Sequence, residues 1–197
     1  LTFTGDLDCS GIINCKSQQG VAILGDVRAE SLKIDAAYLH QSGVVRAENY
    51  SIITQAVKQT DSAKTAATNF SVVTEQCELY GDLTVDNGKC FITANSLLLG
   101  DGYTQNLISL TSEHYIHTNY CKLSSAAQLD LGQESAPSKN NRFIIDDVFA
   151  LDKDTFCDLR STSISAKTMV TKGTLTTDDS AIDVEEIHQS GAVDSKK

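Results

Sequence analysis

The chain has 197 residues, 41% of them apolar, enough for one sizeable core, and the apolar set is Val, Ile, Leu and Ala with abundant Thr and Ser, no Trp and one proline. Sixteen basic residues against 26 acidic ones give a net charge of −10, which repels phosphate backbones and anionic lipid surfaces and argues against nucleic-acid partners. No run approaches the roughly 18 apolar residues that span a bilayer, so membrane insertion is not expected.

In chain order, the first element is a frame of eight residues that repeats. Val27-Arg28-Ala29-Glu30-Ser31-Leu32-Lys33-Ile34 is followed eighteen residues on by Val45-Arg46-Ala47-Glu48-Asn49-Tyr50-Ser51-Ile52. The pattern is aliphatic, any, small, polar, polar, apolar, any, aliphatic. Positions one and three share a face by strand alternation, and so do six and eight. The polar pair between them breaks the phase, so the unit reads as two short strands meeting at a bend with four side chains turned inward.

Further copies start at Leu7, Val72, Ile92, Ile116 and Ile144, and the better ones place Ile12, Leu32, Tyr50, Cys77, Leu97 and Cys121 at position six. Near-constant spacing with occasional extra length is the signature of a solenoid with loops at its corners. A second element, Leu39-His40-Gln41-Ser42-Gly43-Val44-Val45, returns as Ile187-His188-Gln189-Ser190-Gly191-Ala192-Val193, and more weakly from Met169 to Leu175. Its glycine marks a corner. Aligning Val27–Val45 with Leu175–Val193 sets turns near Cys157, Leu175 and Val193, in competition with frames at Ile144, Ile164 and Ile182, and counts eight turns between the two copies.

The expected fold is all-β, a single-stranded right-handed parallel β-helix of about nine to ten turns of 18–20 residues, one domain over 1–197. Two polar stretches, at about 55–70 and 124–142, read as corner-loop insertions, the first with room for a short helix.

Chemistry-bearing residues are sparse. Carbohydrate-cleaving solenoids gather carboxylates on one outer face as acid, base or Ca²⁺ ligands. The candidates here are Asp146, Asp147, Asp152, Asp154 and Asp158, beside Asn140-Asn141-Arg142; a solvated acidic turn is the plainer reading. Glu30 over Glu48, with Glu75 next, is expected to form a corner ladder that a cation or solvent relieves. His114 and His117, three apart on a strand, face opposite sides and make no metal pair, and His40 and His188 read as corner residues. No cofactor or metal site is implied. Six scattered cysteines without metal-type spacing read as free, largely buried thiols, which leaves a cytosolic location open.

The Val27–Ile34 frame followed by Leu39–Val45 resembles the repeats of filamentous-haemagglutinin-like proteins, the β-helical adhesins and exoproteins of bacterial two-partner secretion. The resemblance covers roughly residues 5–54, 72–123 and 157–193. It implies a non-enzymatic rod of a bacterial surface or secreted protein, with glycans or host-cell surface proteins as partners, and it transfers no functional residue. A polysaccharide lyase or hydrolase on the same fold is the first alternative. Leu7–Ile12 and Gly25-Asp26-Val27 are also similar to the turns of bactofilins, β-helical cytoskeletal polymers.

Overall fold

A computed structural model describes residues 1–111, 113–132 and 141–196. Every regular element in it is a strand. The first are β1 (Thr2–Phe3), β2 (Leu7–Ile23), β3 (Val27–Gln41), β4 (Val44–Ile53), β5 (Ala56–Gln59), β6 (Lys64–Leu79), β7 (Asp82–Val85) and β8 (Lys89–Leu99). After them come β9 (Asn106–Leu110), β10 (Glu113–Leu123), β11 (Ala127–Leu131), β12 (Arg142–Leu151), β13 (Phe156–Arg160), β14 (Ser163–Thr171), β15 (Thr174–Asp178), β16 (Ile182–Gln189) and β17 (Ala192–Lys196). All pairings are parallel and join one continuous sheet, so the chain is a parallel β-solenoid.

Each turn has three inward-facing stretches, here the first, second and third sides. In β3 they are 27–29, 31–36 and 38–41, and the register against β2 shifts between Cys9 and Ile12 and between Ser17 and Gly20, where the chain bends. The first side stacks Leu7, Val27, Val45, Thr65, Leu83, Ile108, Leu129, Cys157, Leu175 and Val193, which closes nine turns. The second side stacks Cys15, Ile34, Ile52, Val72, Ile92, Ile116, Phe143, Ile164 and Ile182. The third stacks Val21, Leu39, Val57, Cys77, Leu97, Cys121, Phe149, Met169 and Ile187.

These ladders are the core. Neighbouring turns lie roughly 4.8 Å apart, so every inward side chain packs on its equivalents above and below while backbone groups pair between turns. Larger residues help fill the tube: Tyr50 meets Phe70, its neighbour on the same ladder, edge to face at 5.6 Å, and Phe143 on the second side meets Phe149 on the third at 5.4 Å.

The ladders correct the repeat register. Val72, Ile92 and Ile116 stack on Ile52, the eighth position of the earlier frame rather than the first. The eight-residue frame describes a strand–bend–strand corner, and each turn has more than one. Between 45 and 72 the pattern moved from the corner joining sides one and two to the corner joining sides two and three. The two competing alignments after residue 124 are therefore both in register, one on the first side and one on the second, except that Phe143 rather than Ile144 points inward. From Val27 to Leu175 the first-side ladder counts seven turns, not eight.

Two further expectations change. Residues 55–70 hold neither loop nor helix: β5 is a third side, a tight corner at Thr60–Ala63 follows, and β6 opens the next turn with Thr65 and Ala67 buried. Of its alanines and threonines, Thr65 and Ala67 stack on Val45 and Ala47. Of the stretch 124–142, residues 127–131 are β11, Arg142 opens β12, and 133–140 lie outside the described residues. A loop that the sequence did not signal joins β8 to β9 at 100–105, turned by Gly100 and Gly102 at positive φ. At position six of the first copy, Ile13 rather than Ile12 stacks under Leu32, because Gly11 adds a residue at the bend; Ile12 is exposed.

Candidate functional site

Strand alternation sends half of each side outward, and the outer surface of the second side carries the clearest concentration of apolar groups. Ser51, Ser71, Phe91 and Tyr115 form one outward ladder, and Ile53, Val73, Thr93 and His117 form the next. Ile53, Val73 and Phe91 are each exposed, on three consecutive rungs. The serines are too short to fill the surface between them. They leave a trough of about 230 Å³ bounded by Asn49, Asn69, Lys89 and Phe91, and a second of about 340 Å³ bounded by Lys16, Lys33, Asp35 and Ile53.

The rim of the first trough is held in place. Asn69 Nδ2 donates to Asn49 Oδ1 at 3.0 Å, and the Lys89 N–H donates to Asn69 Oδ1 at 3.0 Å. Amide ladders of this kind repeat the rung spacing and fix the corner. Contiguous exposed apolar surface with a polar rim is the usual mark of an interaction site.

A shallower groove of about 420 Å³ runs along the first side. The alanine ladder Ala29, Ala47 and Ala67 is its floor, with Arg46, Glu48 and Asp86 at its edges. Glu30 and Glu48 occupy equivalent corners of successive turns. The third expected member, Glu75, does not join them: Thr68 follows Ala67 at that corner, and Glu75 sits at the next bend along β6.

The five candidate aspartates are spread around the circumference of one turn. Asp146 and Asp147 form the bend within β12, Asp152 and Asp154 lie at the corner before β13, and Asp158 is on β13. Three have partners of their own: Asp146 meets His117 Nε2 at 2.9 Å, Asp152 meets Lys122 at 2.9 Å, and Asp158 meets Arg160 at 3.1 Å. The Asp152 carboxylate accepts a hydrogen bond from Lys122 and holds its ammonium pKa up. Asp154 takes a positive φ of 62°, a turn conformation that Asp tolerates.

Arg160 also reaches back one turn to Asp130 at 3.0 Å, so it bridges two carboxylates that stack on adjacent rungs and relieves their repulsion. Of the neighbouring residues, Asn140 lies outside the described residues, and Asn141 is buried, its Oδ1 accepting the His114 backbone N–H at 3.2 Å. Among the described residues no three His, Cys, Asp or Glu side chains gather as a metal-holding group.

His114 and His117 face opposite ways, as alternation requires: His117 is at the surface, whereas His114 is in the core on the Cys90 rung, 3.2 Å from Thr162 Oγ1. His40 and His188 are on third-side strands rather than corners.

A polar knot inside the tube went unread in the sequence. Gln41 and Gln59 stack on the third side, fully buried, and Gln59 Nε2 donates to Gln41 Oε1 at 3.1 Å and Thr65 Oγ1 at 2.8 Å. Gln41 Nε2 donates to Thr65 Oγ1 at 2.9 Å and to the Gly43 carbonyl at 3.3 Å, while the Tyr50 hydroxyl donates to Gln41 Oε1 at 3.3 Å. The repeated Gln-Ser-Gly was the available signal: in its second copy Gln189 Nε2 likewise donates to the Gly191 carbonyl at 3.2 Å. The glutamine side chain ties down its own corner.

All six cysteines are free, and all but Cys9 are buried. Burial pushes the Cys77 thiol up to about 12, with Glu78 adding to the shift, and raises Cys90, Cys121 and Cys157 as well. Such thiols are packing groups, not nucleophiles.

Comparison with protein-family models, with curated proteins and with solved structures finds no match.

Proposed function

We propose that this chain is a non-enzymatic rod of a bacterial surface or secreted adhesin-like protein, presenting its second side as a contact surface for glycans or host-cell surface proteins. The observation that carries this reading is how the side chains are sorted. Thiols, His114 and both glutamines are turned into the tube, while Ile53, Val73 and Phe91 are left outside on consecutive rungs. The inward residues fill the core, so outward apolar side chains contribute less to folding, through their cross-strand neighbours alone. Phe91 and Tyr115 offer ring faces, and Asn49, Asn69 and Lys89 offer donors beside them, a combination suited to sugar rings or to a partner's polar loop. The repeat resemblance supports the same class.

The combined variant Ile53→Ser, Val73→Ser and Phe91→Ser tests it. Binding to glycan arrays or cultured host cells should drop at least tenfold while far-UV circular dichroism and thermal midpoint stay near wild type. Undiminished binding by a folded triple variant removes the second side from the proposal.

A further inference from the structure

The outer surface of the first side carries charge in a pattern that is complementary to itself. Along its central outward ladder stand, turn by turn, Arg28, Arg46, Ala66, Thr84, Ser109, Asp130 and Asp158. Thr84 is the midpoint, with two cations on one side of it and two anions on the other. On the adjoining outward ladder the signs are exchanged: Glu30 and Glu48 lie beside the arginines, and Arg160 beside the aspartates. We propose that this face pairs with the same face of a second copy, the two rods lying side by side and antiparallel.

The register follows from symmetry. Identical faces meet about a two-fold axis that lies between them. An axis along the Leu83–Val85 segment of β7 sets each ladder opposite itself in reverse order. Arg28 then faces Asp158 of the second copy, Arg46 faces Asp130 and Glu30 faces Arg160, while the short residues Ala66, Thr84 and Ser109 let the faces approach at the centre. Moving the axis by half a turn spacing either way leaves only one of the two arginines opposite an aspartate. Parallel rods would set Arg28 and Arg46 against Glu30 and Glu48, but would also set Asp158 against Arg160, which already bond within each copy, and would give Asp130 no cation.

The groups concerned are placed to take a partner. Arg28, Arg46, Glu30 and Glu48 are exposed, and among the described residues neither Arg28 nor Arg46 has an ion pair within its own copy. At the other end two carboxylates, Asp130 and Asp158, share the single guanidinium of Arg160. The antiparallel contact brings them two more.

Two features limit its strength. Strand spacing gives the face about 500 Å² per copy, at the lower bound of about 1,000 Å² in total for a specific interface. Asp82 and Asp86 fall beside the axis and meet their own equivalents, a like-charged contact. The charge pairs therefore fix orientation more than they add affinity, and the association is reversible and concentration-dependent. It uses the first side only and stands independently of the role given to the second.

Sedimentation equilibrium of the 197-residue chain is the test. The average mass should rise with concentration and level off at two chains, because such a face closes on itself. An acidic variant, Arg28→Asp with Arg46→Asp, and a basic variant, Asp130→Lys with Asp158→Lys, should each associate about tenfold or more weakly. The variant carrying all four substitutions has the wild-type net charge and should recover the dimer, since each introduced Asp faces an introduced Lys. Parallel rods predict no recovery, because the new charges would then face Glu30, Glu48 and Arg160 of like sign. If the fourfold variant loses its circular dichroism spectrum, Arg46→Asp with Asp130→Lys makes the same exchange at one pair. A wild-type chain that keeps the mass of one chain at all concentrations overturns the proposal. So does a mass that grows beyond two chains, a double variant that dimerises as wild type does, or a folded exchange variant that stays monomeric.

Discussion

The corner Leu39–Val45 and the corner Ile187–Val193 share five of seven residue types in the same order, yet one lies in the third turn and the other in the last. Both make the same local structure: a third-side strand, a Gln side chain bonded to the glycine carbonyl two residues on, and a glycine pressed against the corner below. What differs is everything supplied from above. Leu39, Gln41 and Val45 are covered by Val57, Gln59 and Thr65, while Ile187, Gln189 and Val193 are exposed. Local sequence writes the corner and the neighbouring turn writes its energy, as the nearest-neighbour character of solenoids requires.

The sharpest way to break that comparison is to truncate the matched aliphatic residue in each copy. Leu39→Ala should cost about 2–5 kcal/mol, since it opens a cavity between Val21 and Val57. Ile187→Ala, with one neighbour only, should cost less than about 1 kcal/mol. Urea titration followed by circular dichroism measures both, and equal losses would mean that the last turn is packed as tightly as the third.

The glycines reverse the expectation, because their constraint comes from below and both copies have it. Gly43→Ala and Gly191→Ala each push a Cβ into a backbone oxygen and should cost similar amounts, about 1–3 kcal/mol, with the Gly191 loss confined to the last turn. Amide exchange resolves the difference: protection should fall around β3 and β4 in the first variant and only in β16 and β17 in the second.

The polar knot sharpens the contrast further. Gln41→Leu strands Gln59, Thr65 and the Tyr50 hydroxyl without their partner and should cost about 1–3 kcal/mol. The double variant Gln41→Leu, Gln59→Leu continues the ladder between Ile23 and Leu79 as hydrocarbon and removes the buried Gln59 Oε1, which has no hydrogen-bond partner, but it leaves the Tyr50 hydroxyl without Gln41 and Thr65 without either glutamine, so it should recover only part of that loss. Gln189→Leu should move stability by less than about 0.5 kcal/mol. A thermodynamic cycle over the two glutamines gives the coupling directly.

How much of this was legible follows from the same logic. The solenoid is readable because most inward residues are apolar on successive turns, and Val27/Val45 and Leu39/Ile187 carry that pattern almost unaltered. The side was not readable, because Ile92-Thr93-Ala94-Asn95-Ser96-Leu97-Leu98-Leu99 satisfies the frame of a different corner with the same alternation and the same bend. Residues 55–70 resemble a loop in sequence because they are polar, yet Gln59 and Thr65 are polar, buried and bonded to one another. The acidic candidates failed to converge for a reason no linear spacing reveals: residues 6 to 12 apart on a solenoid lie on different corners of one turn, while residues on one face are a whole turn apart. The second-side surface was hidden for that reason too, since Ile53, Val73 and Phe91 neighbour one another only across turns.

The smallest effect separates interior from terminal thiols. Cys9, in the first turn, is only partly buried, whereas Cys77 is enclosed mid-rod between Val57 and Leu97. Native protein treated with a thiol reagent at neutral pH should lose one thiol quickly and the other five only on unfolding, and Cys9→Ser should remove the fast phase. The Cys77 thiol also ties stability to pH. Desolvation raises its pKa from 9.0 to about 12 in the folded state, so the folded protein keeps a proton that the unfolded chain releases. Between those two values each pH unit favours the unfolded state by about 1.4 kcal/mol per such group, whereas below pH 9 the group contributes no slope. The thermal midpoint should therefore fall as pH rises from 9 towards 12, and Cys77→Val should flatten that fall by one group's share. A slope unchanged by Cys77→Val would place the alkaline sensitivity in the other buried thiols or in Tyr50, whose hydroxyl burial likewise pushes up.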